Sequence, residues 1–128
     1  MKNSIPFELF DKNQYLYFDI QRLSELERVT GKSIINIANL EVGVNFCLLG
    51  LQIGLKHHHH KATLEFYAEK IEKYLEEGGS INEIGILIAK AIAATGIYGK
   101  DAKKRALAKD ETEEIQDKEE KNEKQETE

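Results

Sequence analysis

Four consecutive histidines, His57-His58-His59-His60, are the residues of this chain most able to do chemistry. Imidazoles can ligate a transition metal or move a proton near neutral pH. Adjacent residues cannot share one helix face, however, and zinc sites use spaced ligands, such as two histidines one helical turn apart. With Lys56 and Lys61 on either side, the run reads as a solvated loop with no more than adventitious metal affinity. No metal ligand and no cofactor is expected.

The other reactive side chains have plain structural explanations. Cys47 lies between Phe46 and Leu48 without a charged neighbour, whereas a reactive thiolate needs partly exposed, electropositive surroundings. Asp11, Asp19, Glu25 and Glu27 could be imagined as paired carboxylates, but helix caps and a wet helix face account for them. Tyr15, Tyr17 and Phe18 lack the interleaved Lys and Arg of a stacking platform for single strands, so they are expected in a hairpin core. Gly96-Ile97-Tyr98-Gly99 opens no helix with a phosphate-loop pattern. No catalytic residue is assigned, and a protein that binds without turnover is expected.

The elements that position these groups can be read from apolar periodicity and capping. Residues 5–10 and 15–18 are aromatic-rich runs around a polar break, the pattern of a β-hairpin with a turn longer than two residues. Two strands are marginal alone, so the hairpin must lie on helices. Asp19 caps a helix through Ile20, Leu23, Leu26 (or Glu27) and Thr30, with Leu23 and Leu26 inward, and Gly31 stops it. Ser33 looks like a fresh cap for a short helix over residues 34–40. Residues 42–55 are apolar around nearly the whole circumference, with Asn45 and Gln52 as the polar stripe. Such a helix is central to a core or sits in an interface.

After the histidines, Thr63 caps a helix with Leu64, Tyr67, Ala68, Ile71, Tyr74 and Leu75 inward. Gly78-Gly79 stops it, and Ser80-Ile81-Asn82-Glu83 is a capping box for the next. Ile84, Leu87, Ile88, Ala91, Ile92 and Thr95 form that helix's inward stripe. The short connection between the two predicts an antiparallel pair.

The chain has 128 residues, enough for one modest core. A net charge of −5 disfavours nucleic acid as partner of the whole chain. One cysteine excludes a disulfide framework and fits a reducing compartment. The N-terminus lacks the apolar run of a signal peptide, and residues 42–55 fall short of the roughly 20 residues of a membrane span. Beyond Gly99 the composition changes: residues 100–109 hold five basic residues and one acid, and residues 110–128 hold ten acids and three lysines. The expected fold is therefore mainly α (α+β), a short N-terminal β-hairpin packed on a small helical bundle. Residues 1–99 form the globular domain, and residues 100–128 a disordered charged tail. The basic block reads as a frayed helix end, or else as a docking site for an acidic partner or for the acidic tail behind it.

Leu16-Tyr17-Phe18-Asp19, Leu23, Leu26-Glu27 and Thr30-Gly31-Lys32-Ser33-Ile34 together resemble the opening signature of the tail assembly chaperones of long-tailed bacteriophages. In that family a hydrophobic segment, a basic or histidine-containing break and a Thr-Leu helix start follow; here these would be residues 44–55, residues 56–60 and Thr63-Leu64. The four histidines and the long charged tail depart from the family pattern. The resemblance implies a protein of the host cytoplasm that binds the tape measure protein, keeps it soluble and promotes assembly of the tail tube protein around it. The working surface expected on this reading is the hydrophobic helix, with Val44, Leu48, Leu51, Gln52 and Leu55 as partner-binding residues. The alternative is a small helical adaptor or oligomerisation module of a host or mobile element, a homo-oligomer through the same segment. Neither reading calls for nucleic acid or a membrane.

Overall fold

A computed structural model describes residues 2–35 and 41–108 of the chain. Its elements are β1 (Ile5–Pro6), β2 (Tyr15–Leu16), α1 (Ile20–Thr30), α2 (Val44–Gly54), α3 (Leu64–Glu76), α4 (Ile81–Ala93) and α5 (Lys100–Leu107). The fold is mostly helical, with an antiparallel hairpin at its N-terminal end. The expected short helix over residues 34–40 lies largely outside the described residues. Of the expected disordered tail over residues 100–128 only residues 100–108 are described, where Lys100–Leu107 form α5.

The helices begin where their caps place them. Asp19 Oδ1 accepts from the Arg22 amide at 2.9 Å, and Thr63 Oγ1 accepts from the Phe66 amide at 3.1 Å. At α4 the capping box is complete: Ser80 Oγ accepts from the Glu83 amide, and Glu83 Oε1 accepts from the Ser80 amide. Gly31 stops α1 in the left-handed region at φ 72°, its N–H donating to the Glu27 carbonyl. The Glu27 side chain then accepts from the Ile34 amide at 2.9 Å. This bond ties the chain after the Thr30-Gly31-Lys32-Ser33 turn back to the helix it has just left.

The core is built around α2, against which α1, α3, α4 and β2 all pack. Leu49, Leu51, Ile53 and Leu55 are buried on different sides of it, joined by Leu23 and Leu26 from α1, Tyr67 and Ile71 from α3, and Ile84, Ile88 and Ile92 from α4. An element apolar all round is here because it is surrounded. Two expectations change. α3 and α4 do not form a pair of their own, since each packs mainly on α2. The inward spacing fails at element ends: Ile20 stands 71% exposed at the first position of α1, and Leu64 and Leu75 at the two ends of α3 are exposed as well. The packed fold also runs past residue 99: α5 lies on α4 and buries Ala106, and the Tyr98 hydroxyl donates to the Ile34 carbonyl.

Candidate functional site

The five residues expected to bind a partner do not form one surface. Leu51 and Leu55 are fully buried, so neither can meet another protein without unfolding this one. Leu48 is half-buried against the core. Gln52 is half-buried and its amide donates to the Ala62 carbonyl at 3.1 Å, fastening the turn before α3. Only Val44, at the first position of α2, is open, at 61% exposure. The assignment is therefore corrected: α2 is the core of the domain, and its N-terminal end is what it presents.

Around that end, apolar side chains are left uncovered. Val42 is exposed and lies over Gly85, where an added Cβ would fall 2.1 Å from its Cγ1. Ile86, the next residue of α4, is 57% exposed. Val44 and Ile34 line one cavity of about 250 Å³ together with Lys32, Glu41 and Phe46. Ile35 follows at 64% exposure. Lys32 and Glu41 form an ion pair at the cavity's edge, and the ammonium holds the Glu41 carboxyl below its ordinary range. Apolar side chains beside a charged rim make a surface suited to an apolar partner.

Three of the four histidines depart from the expected solvated loop, and His60 is exposed as expected. After α2 the chain turns tightly, with the His58 and His59 amides donating to the Leu55 carbonyl, and His57, His58 and His59 are all partly buried. They lie against β2. The Tyr15 amide donates to His58 Nε2 at 3.1 Å, and the Tyr15 carbonyl contacts His57 Nε2 at 3.1 Å. Arg22 Nη1 donates to His57 Nδ1 at 3.0 Å and to the Tyr17 carbonyl at 3.0 Å. The Tyr15 ring stacks on His57 and meets His58 edge-on, at centroid distances of 4.6 and 4.7 Å. Gln14 and His59 meet through their Nε2 atoms.

Strand geometry explains the arrangement. Phe7 donates to the Gln14 carbonyl, and the register sets Ile5 opposite Leu16 and Pro6 opposite Tyr15. In such a ladder the backbone groups of Tyr15 and Tyr17 point away from β1. An outer edge of this kind must be paired or wetted. Here Tyr15 is served by His58 and His57, while Tyr17 donates to the Gly54 carbonyl and accepts from Arg22. Side chains and a helix end stand in for a third strand.

The remaining candidates act in the fold. Asp19 is a cap, Glu25 pairs with Lys56 at 2.7 Å, Glu27 holds the Ile34 amide, and Asp11 pairs with Lys70 at 3.3 Å. Cys47 is fully buried, and desolvation pushes its thiol up to about 11. Phe18 is in the core, whereas Tyr17 lies beneath the Arg22 guanidinium, 5.2 Å from its ring centre. Among the described residues, no three His, Cys, Asp or Glu side chains are placed to hold a metal ion, and no helix is long and apolar enough to cross a membrane. No family model, curated protein or solved structure matches the chain.

Proposed function

We propose that this protein is a tail assembly chaperone of the long-tailed bacteriophage type, which works by binding and not by turnover. In the host cytoplasm it holds the tape measure protein in solution and promotes polymerisation of the tail tube protein around it. The observation that supports this reading is the set of exposed apolar side chains Ile35, Val42 and Val44 before and at the start of α2, with Ile86 next to the Gly85 that Val42 covers. An apolar stripe of a long helical client would bury these side chains and gain from each. The resemblance of residues 16–34 to the chaperone signature points to the client, and the rim is where the client would sit.

The test is co-expression with a tape measure protein, reading the soluble fraction and its recovery with the tagged chain. The client is expected to become soluble and to co-purify. The double variant Val44→Asp/Ile86→Glu should keep the helical spectrum, because both positions are exposed and Asp is favourable at a helix N-terminus. It should lower client recovery about tenfold or more, the effect of losing an interface hot spot. Failure of the folded parent chain to recover either tape measure or tail tube protein overturns the proposal. If the parent chain instead forms a discrete oligomer by light scattering, and the same double variant dissolves it, the adaptor reading takes its place.

A further inference from the structure

We propose that His57 and His58 form an acid-released clasp, which holds the outer edge of β2 against the end of α2 only while both imidazoles are neutral. The partners dictate this. A backbone N–H can only donate, so the Tyr15 amide requires a bare Nε2 on His58. A guanidinium can only donate, so Arg22 requires a bare Nδ1 on His57. The Tyr15 carbonyl can only accept, so the proton of His57 sits on Nε2. Each ring is thereby fixed in one tautomer, and a second proton on either would aim N–H at N–H. The clasp would lose the bond it makes and gain a repulsion.

The Tyr15 backbone is what favours an imidazolium here, and burial and the neighbouring positive groups outweigh it. From α1 the group facing His57 is the Arg22 guanidinium, a positive charge. From β2 and the residue after it come the rings of Tyr15 and Tyr17. Within the turn itself stand His58, His59 and His60, while Lys56 is paired to Glu25, the carboxylate that reaches this turn. Burial first, then His58 and Arg22, bring His57 from its ordinary value of 6.5 down to about 4, despite its bond to the Tyr15 carbonyl. Burial and His59 lower His58 too. The unfolded chain therefore takes up protons before the folded one does, so the clasp's contribution is complete above about 6.5 and is lost as pH falls towards 4. Release would uncover the Tyr15 backbone groups and loosen Leu16 and Phe18, which pack on Gly54.

The decisive experiment is an NMR titration of the full chain that follows the imidazole Cε1–H signals together with the Tyr15 amide. His57 is expected to titrate well below 6.5, with the Tyr15 amide shifting in step. Titration of both histidines at their ordinary value, or a Tyr15 amide that stays still while they titrate, overturns the clasp. Thermal melts give a second reading. His57→Gln/His58→Gln keeps a side-chain oxygen to accept and an amide to donate, but cannot titrate. Its melting temperature should lose most of the acid-side fall of the parent chain, and a fall that runs parallel to the parent's overturns the proposal. Should the double variant fail to fold, the titration of the parent chain alone decides.

Discussion

Tyr67 is the residue whose chemistry is least well served by its place. Its ring is in the core between α3 and α2, 1% exposed, yet its hydroxyl finds no hydrogen-bond partner among the described residues. Burial also pushes the hydroxyl up to about 12, so it stays protonated throughout the useful pH range. A buried hydroxyl without a partner forfeits the hydrogen bonds it made with water, at about 1–3 kcal/mol. The ring does the packing, including an edge-on contact with Phe66 at 5.0 Å. Tyr67→Phe is therefore expected to keep the packing and raise the unfolding free energy by about 1 kcal/mol in urea melts, with an unchanged m-value. A loss of stability would mean that the hydroxyl is bonded after all. Glu27 is the opposite case, since its place on the wet side of α1 hides a bond to the Ile34 amide. That bond, with the Gly31 stop, gives Glu27 and Gly31 their structural roles in the turn that follows α1.

Among the elements, the seam between β2 and α2 is packed without slack. At Gly54 an added Cβ would lie 2.7 Å from Leu16 Cδ2 and 3.0 Å from the Phe18 ring, both fully closed in by the core. Neither neighbour has room to give, and overpacking of this kind costs about 1–3 kcal/mol. Gly54→Ala should lower stability by that amount despite the better helix former, and a denaturant melt checks it. Gly85→Ala is the useful contrast, because its obstacle is Val42, an exposed side chain free to turn away. Much of this level was legible in the sequence. Asp19, Gly31, Thr63 and Ser80 act as caps and stops where their types predict, and the inward stripes of α3 and α4 hold at Tyr67, Ile71, Ile84, Ile88 and Ile92. The partner surface was not legible. An all-round apolar helix is equally consistent with a core and an interface, and only the packing of α1, α3 and α4 decides that Leu51 and Leu55 are core. The histidine clasp was hidden for another reason. It depends on which edge of β2 faces out and on Arg22 and Tyr15 arriving from far along the chain.

At the scale of the whole molecule, the question is where the cooperative unit ends. Composition put the boundary at residue 99, where net charge turns strongly basic. Charge describes the outward side of a helix, however, and α5 has an inward one. Ala106 is buried, Ala102 is partly covered, and Lys100, Lys104 and Arg105 face water. The link into α5 is held as well: Gly99 takes φ 103°, its carbonyl accepts from the Lys103 amide, and the hydroxyl of Tyr98 just before it reaches the Ile34 carbonyl. Through Ile34 and Glu27 this connects α5 to α1. A chain ended after Gly99 would keep Tyr98 but lose α5, which packs on α4 and buries Ala106. It is expected to be less stable by about 1–3 kcal/mol, as for other losses of a few buried apolar side chains. For a domain of this size each kcal/mol corresponds to a fall of about 4–8 °C in melting temperature. Circular dichroism melts of the two chains measure it. Equal melting temperatures would return the boundary to residue 99 and leave α5 as a helix that merely rests on the domain.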